Sequence, residues 1–146
     1  MNPLFYIDFY KVGHVSQYPP DTEYVWANWT PRGTRIPEVK EVVHFGLQYF
    51  IKKVLLKEFS LRFFTRPLSG PNGILEEYCN VIRATLGVQN PRTDHIEKLW
   101  AKQYLPIKIY SIPEGSVSPV GVPSVVIVNT DPDMFWLPNY LETMLS

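Results

Sequence analysis

The run Val125-Val126-Ile127-Val128 constrains this chain more than any other stretch. Four consecutive β-branched residues leave no polar face, and such a run reads as a strand buried on both sides. Other elements must cover it. Two further stretches have strand character. From Glu23 to Thr30, Tyr24, Trp26 and Asn28 alternate with Val25, Ala27 and Trp29, and a second alternation runs from Ile107 to Ile112. Pro113-Glu114-Gly115 is a turn, with Glu114 a turn residue.

Fourteen prolines and eight glycines punctuate the chain, and the helical patterns lie between them. Apolar residues Val42, Phe45, Leu47, Tyr49, Phe50, Val54 and Leu55 predict a long, mostly buried helix from about Val39 to Phe59. Gly70-Pro71-Asn72-Gly73 is a turn cluster in which Asn72 caps a second helix running to Leu86, with Gly87 as its C-terminal cap. Asp94 and Glu97 form a capping-box-like pair opening a third helix. Asp131-Pro132 starts a last one, which Pro138 should kink. The expected architecture is α+β. Residues 1–146 form one domain, with helices packed on a small, mainly antiparallel sheet.

Composition then excludes several function classes. Fourteen basic and fourteen acidic residues give zero net charge, so no basic footprint suggests nucleic acid or an anionic membrane. No apolar run approaches the ~20 residues of a membrane helix, and the start lacks the basic region of a signal peptide. Cys79 is the one cysteine, which excludes an internal disulfide and suits a reducing, cytoplasmic setting. His14, His44 and His95 show no metal-ligand spacing with Cys79 or with acids. Glycine loops for phosphate and the Gly-x-Ser-x-Gly elbow are absent as well.

The stretch with most chemistry is Ile7 to Pro20. Phe5, Phe9 and Val12 make an apolar stripe at helical spacing, while Asp8, Tyr10, Lys11, His14 and Gln17 fall largely off it. Pro19-Pro20 ends the helix. Asp8, Tyr10 and Lys11 would face a ligand, a ring flanked by one acid and one base.

Asp8-x-Tyr10-Lys11-x-x-His14-x-x-Gln17-Tyr18-Pro19-Pro20 resembles the opening of nicotinamide phosphoribosyltransferases. Phe45-Gly46-Leu47-Gln48-Tyr49 matches a second block of that family. Leu105-Pro106-Ile107, Pro113-Glu114-Gly115, Asn129-Thr130-Asp131-Pro132 and Trp136-Leu137 follow in the family's order. Residues 62–102 carry no such block.

The resemblance implies transfer of phosphoribosyl from phosphoribosyl pyrophosphate to nicotinamide, giving nicotinamide mononucleotide in NAD salvage. It implies a homodimer with sites at the subunit interface, where Tyr10 stacks on nicotinamide from across that interface. Asp8 would stand near the carboxamide, Arg32 would approach the phosphates, and Lys11 would complete the substrate-binding set. No catalytic group is assigned to this chain. Pyrophosphate and Mg²⁺ would be handled by an α/β barrel that this family carries and this sequence lacks, so the chain by itself is expected to be inactive and to hold no cofactor.

Two other readings stand beside this one: a nicotinate phosphoribosyltransferase-like piece, and a free-standing interaction module without catalysis. The end of the chain bears on the last. Trp136, Leu137, Leu141, Met144 and Leu145 would form an exposed apolar face driving dimerisation or association with a barrel domain.

Overall fold

A computed structural model describes residues 1–145. The strand at Val125–Asn129 (β5) is central, paired antiparallel with Trp26–Trp29 (β1) on one side and Ile107–Ser111 (β3) on the other. Glu41–Val43 (β2) and Val117–Pro119 (β4) form a second, two-stranded antiparallel sheet. The α+β expectation holds. The apolar run is nevertheless not buried equally on both faces: Val125, Ile127 and Asn129 are buried, while Val126 and Val128 are half-buried. Asn129 also fixes the entry to β1. Its Oδ1 accepts from the Val25 N–H at 2.8 Å, and its Nδ2 donates to the Glu23 carbonyl at 2.8 Å.

The predicted helix over 39–59 needs correction. Val42 belongs to β2, and the helix begins only at Leu47–Phe50 (α1). It continues with wider, π-type winding through Ile51–Glu58 and Ser60–Phe64. Gly46, at φ 95°, makes the left-handed turn that separates strand from helix. Glu114 is more than a turn residue, because its Oε1 accepts from the Gln48 N–H at 2.7 Å at the start of α1. Leu55, Phe59 and Phe63 recur every fourth residue and are buried, yet Phe45 and Tyr49 stand 81% and 70% exposed. The helix is therefore one-sided rather than mostly buried.

Helix α2 spans Ile74–Leu86 and ends on left-handed Gly87 as expected, but Gly73 rather than Asn72 is its N-cap. A Cβ at Gly73 would lie 2.7 Å from the Ser69 carbonyl carbon and 2.8 Å from the Gly70 oxygen. Both are backbone atoms that cannot swing away. Gly73→Ala is expected to cost about 1–2 kcal/mol, read as a lowered urea midpoint with an unchanged slope. Helix α3 spans Asp94–Lys102 with Thr93 as its N-cap. The Thr93 hydroxyl donates to Glu97 Oε1 at 2.7 Å, a side-chain pair in place of the expected Asp94–Glu97 capping box. Asp94 instead takes Arg92, Nε to Oδ1 at 2.5 Å and Nη2 to Oδ2 at 2.8 Å. That pairing holds its carboxyl down at about 2.

At the end of the chain Asp131 caps a short 3₁₀ turn, Pro132–Met134, and helix α4 follows at Leu137–Glu142. Pro138 falls in the first turn of α4, where a missing N–H costs nothing, and it does not kink a longer helix. α4 packs against β1 and β5. Trp136, Leu137 and Leu141 are buried in the core beside Leu4, Tyr78, Ile96 and Leu99. Most of the expected exposed apolar face is thus the inside of the domain, while Met144 and Leu145 are half-buried. Among the described residues, no helix is long and apolar enough to cross a membrane.

Candidate functional site

The N-terminal segment folds as two 3₁₀ helices, Pro3–Phe5 and Phe9–Ser16. Asn2 caps the first, its Oδ1 accepting from the Leu4 N–H at 3.1 Å. Leu4, Val12 and Val15 are buried, which anchors the segment to the core and to α4. The buried Tyr140 hydroxyl strengthens this by donating to the Leu4 carbonyl at 2.7 Å. Such anchoring fixes which side chains point outward.

Asp8, Tyr10, Lys11 and Arg32 all line one open cavity of about 450 Å³, together with Asn28, Trp29, Thr30, Glu142 and Thr143. Residues far apart in sequence thus converge between the N-terminal segment, the end of β1 and α4. The Tyr10 ring is 63% exposed. Its neighbours are the His14 ring at 5.2 Å between centroids, tilted by 56°, and the Lys11 ammonium at 6.0 Å from its centroid. So exposed a ring leaves room for a planar ligand to stack on it. Asp8 is exposed, and its Oδ2 accepts from the Thr143 hydroxyl at 2.7 Å. Arg32 lies in the loop after β1, and the neighbouring Pro31 carbonyl is tied down by the Gly121 N–H at 2.8 Å.

Lys11 departs from the expected picture. Only 5% exposed, its Nζ donates to the Asn139 carbonyl at 2.8 Å, to Asn139 Oδ1 at 2.7 Å and to Glu142 Oε2 at 3.3 Å. Its three donor positions are filled by α4. Lys11 lines the cavity but serves to lock the 3₁₀ helix onto α4.

Sequence reasoning did not find Asn139, Glu142 and Thr143. A signal existed: polar residues at i, i+3 and i+4, two in the otherwise apolar α4 and one just after it, make a narrow polar stripe. Asp8 and Glu142 are the acids of the cavity. One is hydrogen-bonded to Thr143 and the other is paired with Lys11. Among the described residues no three His, Cys, Asp or Glu side chains gather as a metal site.

Fold and cavity together define an α+β domain that presents an exposed tyrosine, a carboxylate and an arginine around one cleft. Residues 2–59, which carry all four expected site residues, match the family "Nicotinamide phosphoribosyltransferase, N-terminal domain". A nicotinamide phosphoribosyltransferase of Acinetobacter baylyi is 40% identical over 151 residues, covering 100% of this chain and 29% of the relative. One of Xanthomonas campestris pv. campestris is 30% identical over 146 residues, covering 99% of the chain and 28% of the relative. The resemblance read from the sequence is thereby shown: the chain is similar, along its whole length, to nicotinamide phosphoribosyltransferases, and its start matches their N-terminal domain. It spans less than a third of the length of these relatives.

Proposed function

We propose that this domain supplies the nicotinamide-recognition segment of a nicotinamide phosphoribosyltransferase. The observation that carries this reading is the convergence of Tyr10, Asp8 and Arg32 on one cavity, with Tyr10 exposed. A neutral pyridine carboxamide offers a flat π-face and an amide. An aromatic ring satisfies the first, and a carboxylate accepting from the amide nitrogen satisfies the second. The Asp8 carboxylate, oriented by Thr143, would also repel the negative charge of nicotinate. The Arg32 fork suits a phosphate of phosphoribosyl pyrophosphate or of the mononucleotide product.

The transition state of phosphoribosyl transfer has oxocarbenium character, so recognition works through orientation rather than covalent attack. In this reading, Tyr10 and Asp8 hold the pyridine ring so that its nitrogen meets the sugar carbon, and Lys11 keeps their 3₁₀ helix in register with α4. The site is completed across a homodimer interface in the cytoplasm. The 63% exposure of Tyr10 supports that arrangement, since the ring is available to a ligand or a partner.

In this reading Arg32 meets one phosphate, and the remaining pyrophosphate and metal chemistry belongs to groups outside this domain. The purified 146-residue chain, given nicotinamide, phosphoribosyl pyrophosphate and Mg²⁺, is expected to form no nicotinamide mononucleotide. Chromatographic detection of product above background would overturn this division of labour.

A further inference from the structure

A second cavity, of about 240 Å³, lies where the two sheets and the start of α1 meet. Its walls are largely apolar, with Val42, Leu47, Phe50 and Val125 among them. Two polar side chains break that surface. His44 is 6% exposed and Ser124 is 4% exposed, and both line the cavity. The Nε2 of His44 and the hydroxyl of Ser124 have no hydrogen-bond partner.

The backbone at both groups is held in place. The His44 N–H donates to the Ser116 carbonyl at 2.9 Å, and its carbonyl accepts from the Gly115 N–H at 2.8 Å. The Ser124 N–H donates to the Trp29 carbonyl at 3.1 Å, and its carbonyl accepts from the Ile112 N–H at 3.2 Å. An unsatisfied buried polar group costs ~1–3 kcal/mol, so folded chains rarely keep two of them in one cavity. A water molecule would answer the polar groups but leave the apolar wall unfilled. A mainly apolar pocket with a few fixed polar groups is the general form of a small-molecule site.

We propose that this cavity binds a small neutral molecule with a monocyclic aromatic body and one hydroxyl-like group, which pairs with His44 Nε2 and the Ser124 hydroxyl. The ring lies among Val42, Leu47, Phe50 and Val125, and the polar end faces the two unpartnered groups. Exposed Phe45, which also lines the cavity, stands at its rim. Nothing in this assignment depends on the nicotinamide reading, since neither His44 nor Ser124 lines the cavity around Tyr10.

Phenol and benzene are the probes, titrated into the ¹⁵N-labelled chain and followed by amide chemical shifts. Phenol is expected to produce saturable shifts concentrated at residues 44–47 and 124–125. Ser124→Ala should weaken phenol about fivefold, the equivalent of one neutral hydrogen bond of ~1 kcal/mol, and leave benzene unchanged. His44→Phe should do the same. If it fails to fold, Ser124→Ala decides alone, its amide spectrum showing that the fold is kept. Absence of saturation, shifts scattered over the surface, or equal phenol affinity in the wild type and Ser124→Ala would each overturn the proposal.

Discussion

Replacing Tyr10 by alanine, in this protein continued to the full length of its relatives, is expected to lower kcat/KM for nicotinamide roughly ten- to a hundredfold. The size follows from base-type stacking on an aromatic ring, typically ~1–3 kcal/mol, at ~1.4 kcal/mol per tenfold. Tyr10→Phe keeps the ring and should lose far less. The melting temperature should barely move in either variant, because Tyr10 is 63% exposed and packs on His14 alone among the rings of its own chain. A structural tyrosine would behave in the opposite way. Its truncation would cost ~3 kcal/mol or more of stability, as buried aromatics do, with nicotinamide kinetics unchanged.

The second large effect is on stability and concerns His95. This residue on α3 is 3% exposed, wedged edge-on against the Trp136 ring at 4.9 Å and near Tyr78 at 6.1 Å. Burial pushes its imidazole down from the ordinary 6.5 to about 4. Asp94, whose Oδ1 lies 3.9 Å from Nδ1, favours the proton, while Arg92 opposes it. Lys11, His14 and Tyr140 line the small hollow on its other side. Between pH 6.5 and 4 the unfolded chain therefore binds a proton that the folded chain refuses, so stability rises with pH across that window. The contribution is complete above pH 6.5 and is lost as pH falls toward 4. From pH 7 to 4.5 the loss should be about 2–3 kcal/mol, a large share of the total for an ordinary domain. His95→Gln cannot titrate and should remove most of that dependence. What remains should appear lower, where Asp94 titrates toward its depressed value of about 2. Urea unfolding at the two pH values, in both proteins, measures the difference. An equal loss in wild type and His95→Gln would contradict the assignment.

How far the sequence exposes this fold depends on which interactions are local. β5, α2 with Gly87, and the β1 alternation were legible because periodicity and caps are properties of neighbouring residues. The boundary between β2 and α1 was not. Val42, Phe45 and Leu47 give one apolar series, and only pairing with β4 some 75 residues later makes Val42 a strand residue. Burial was harder still. Phe45 and Tyr49 are apolar yet exposed, whereas Trp136, Leu137 and Leu141 are enclosed by residues from Leu4 to Leu99.

The site divides along the same line. Asp8, Tyr10 and Lys11 stand together in one sequence motif, whereas Arg32 rests only on what the resemblance implies. What positions them was hidden. Thr143 on Asp8 and Asn139 with Glu142 on Lys11 lie more than 120 residues away, and no spacing rule reaches that far. The motif marked Lys11 as a substrate-binding residue. Only the three-dimensional contacts show its ammonium fully occupied by α4.

The central claim is that the Tyr10 face of this cavity receives nicotinamide. A crystal structure of the protein continued to the length of its relatives, soaked with nicotinamide, tests it most directly. The account predicts the pyridine ring stacked on Tyr10, with centroids about 4.5–7 Å apart, and Asp8 within hydrogen-bond reach of the carboxamide nitrogen. Nicotinamide bound away from the Tyr10 ring, with no Asp8 carboxylate near its amide, would contradict it.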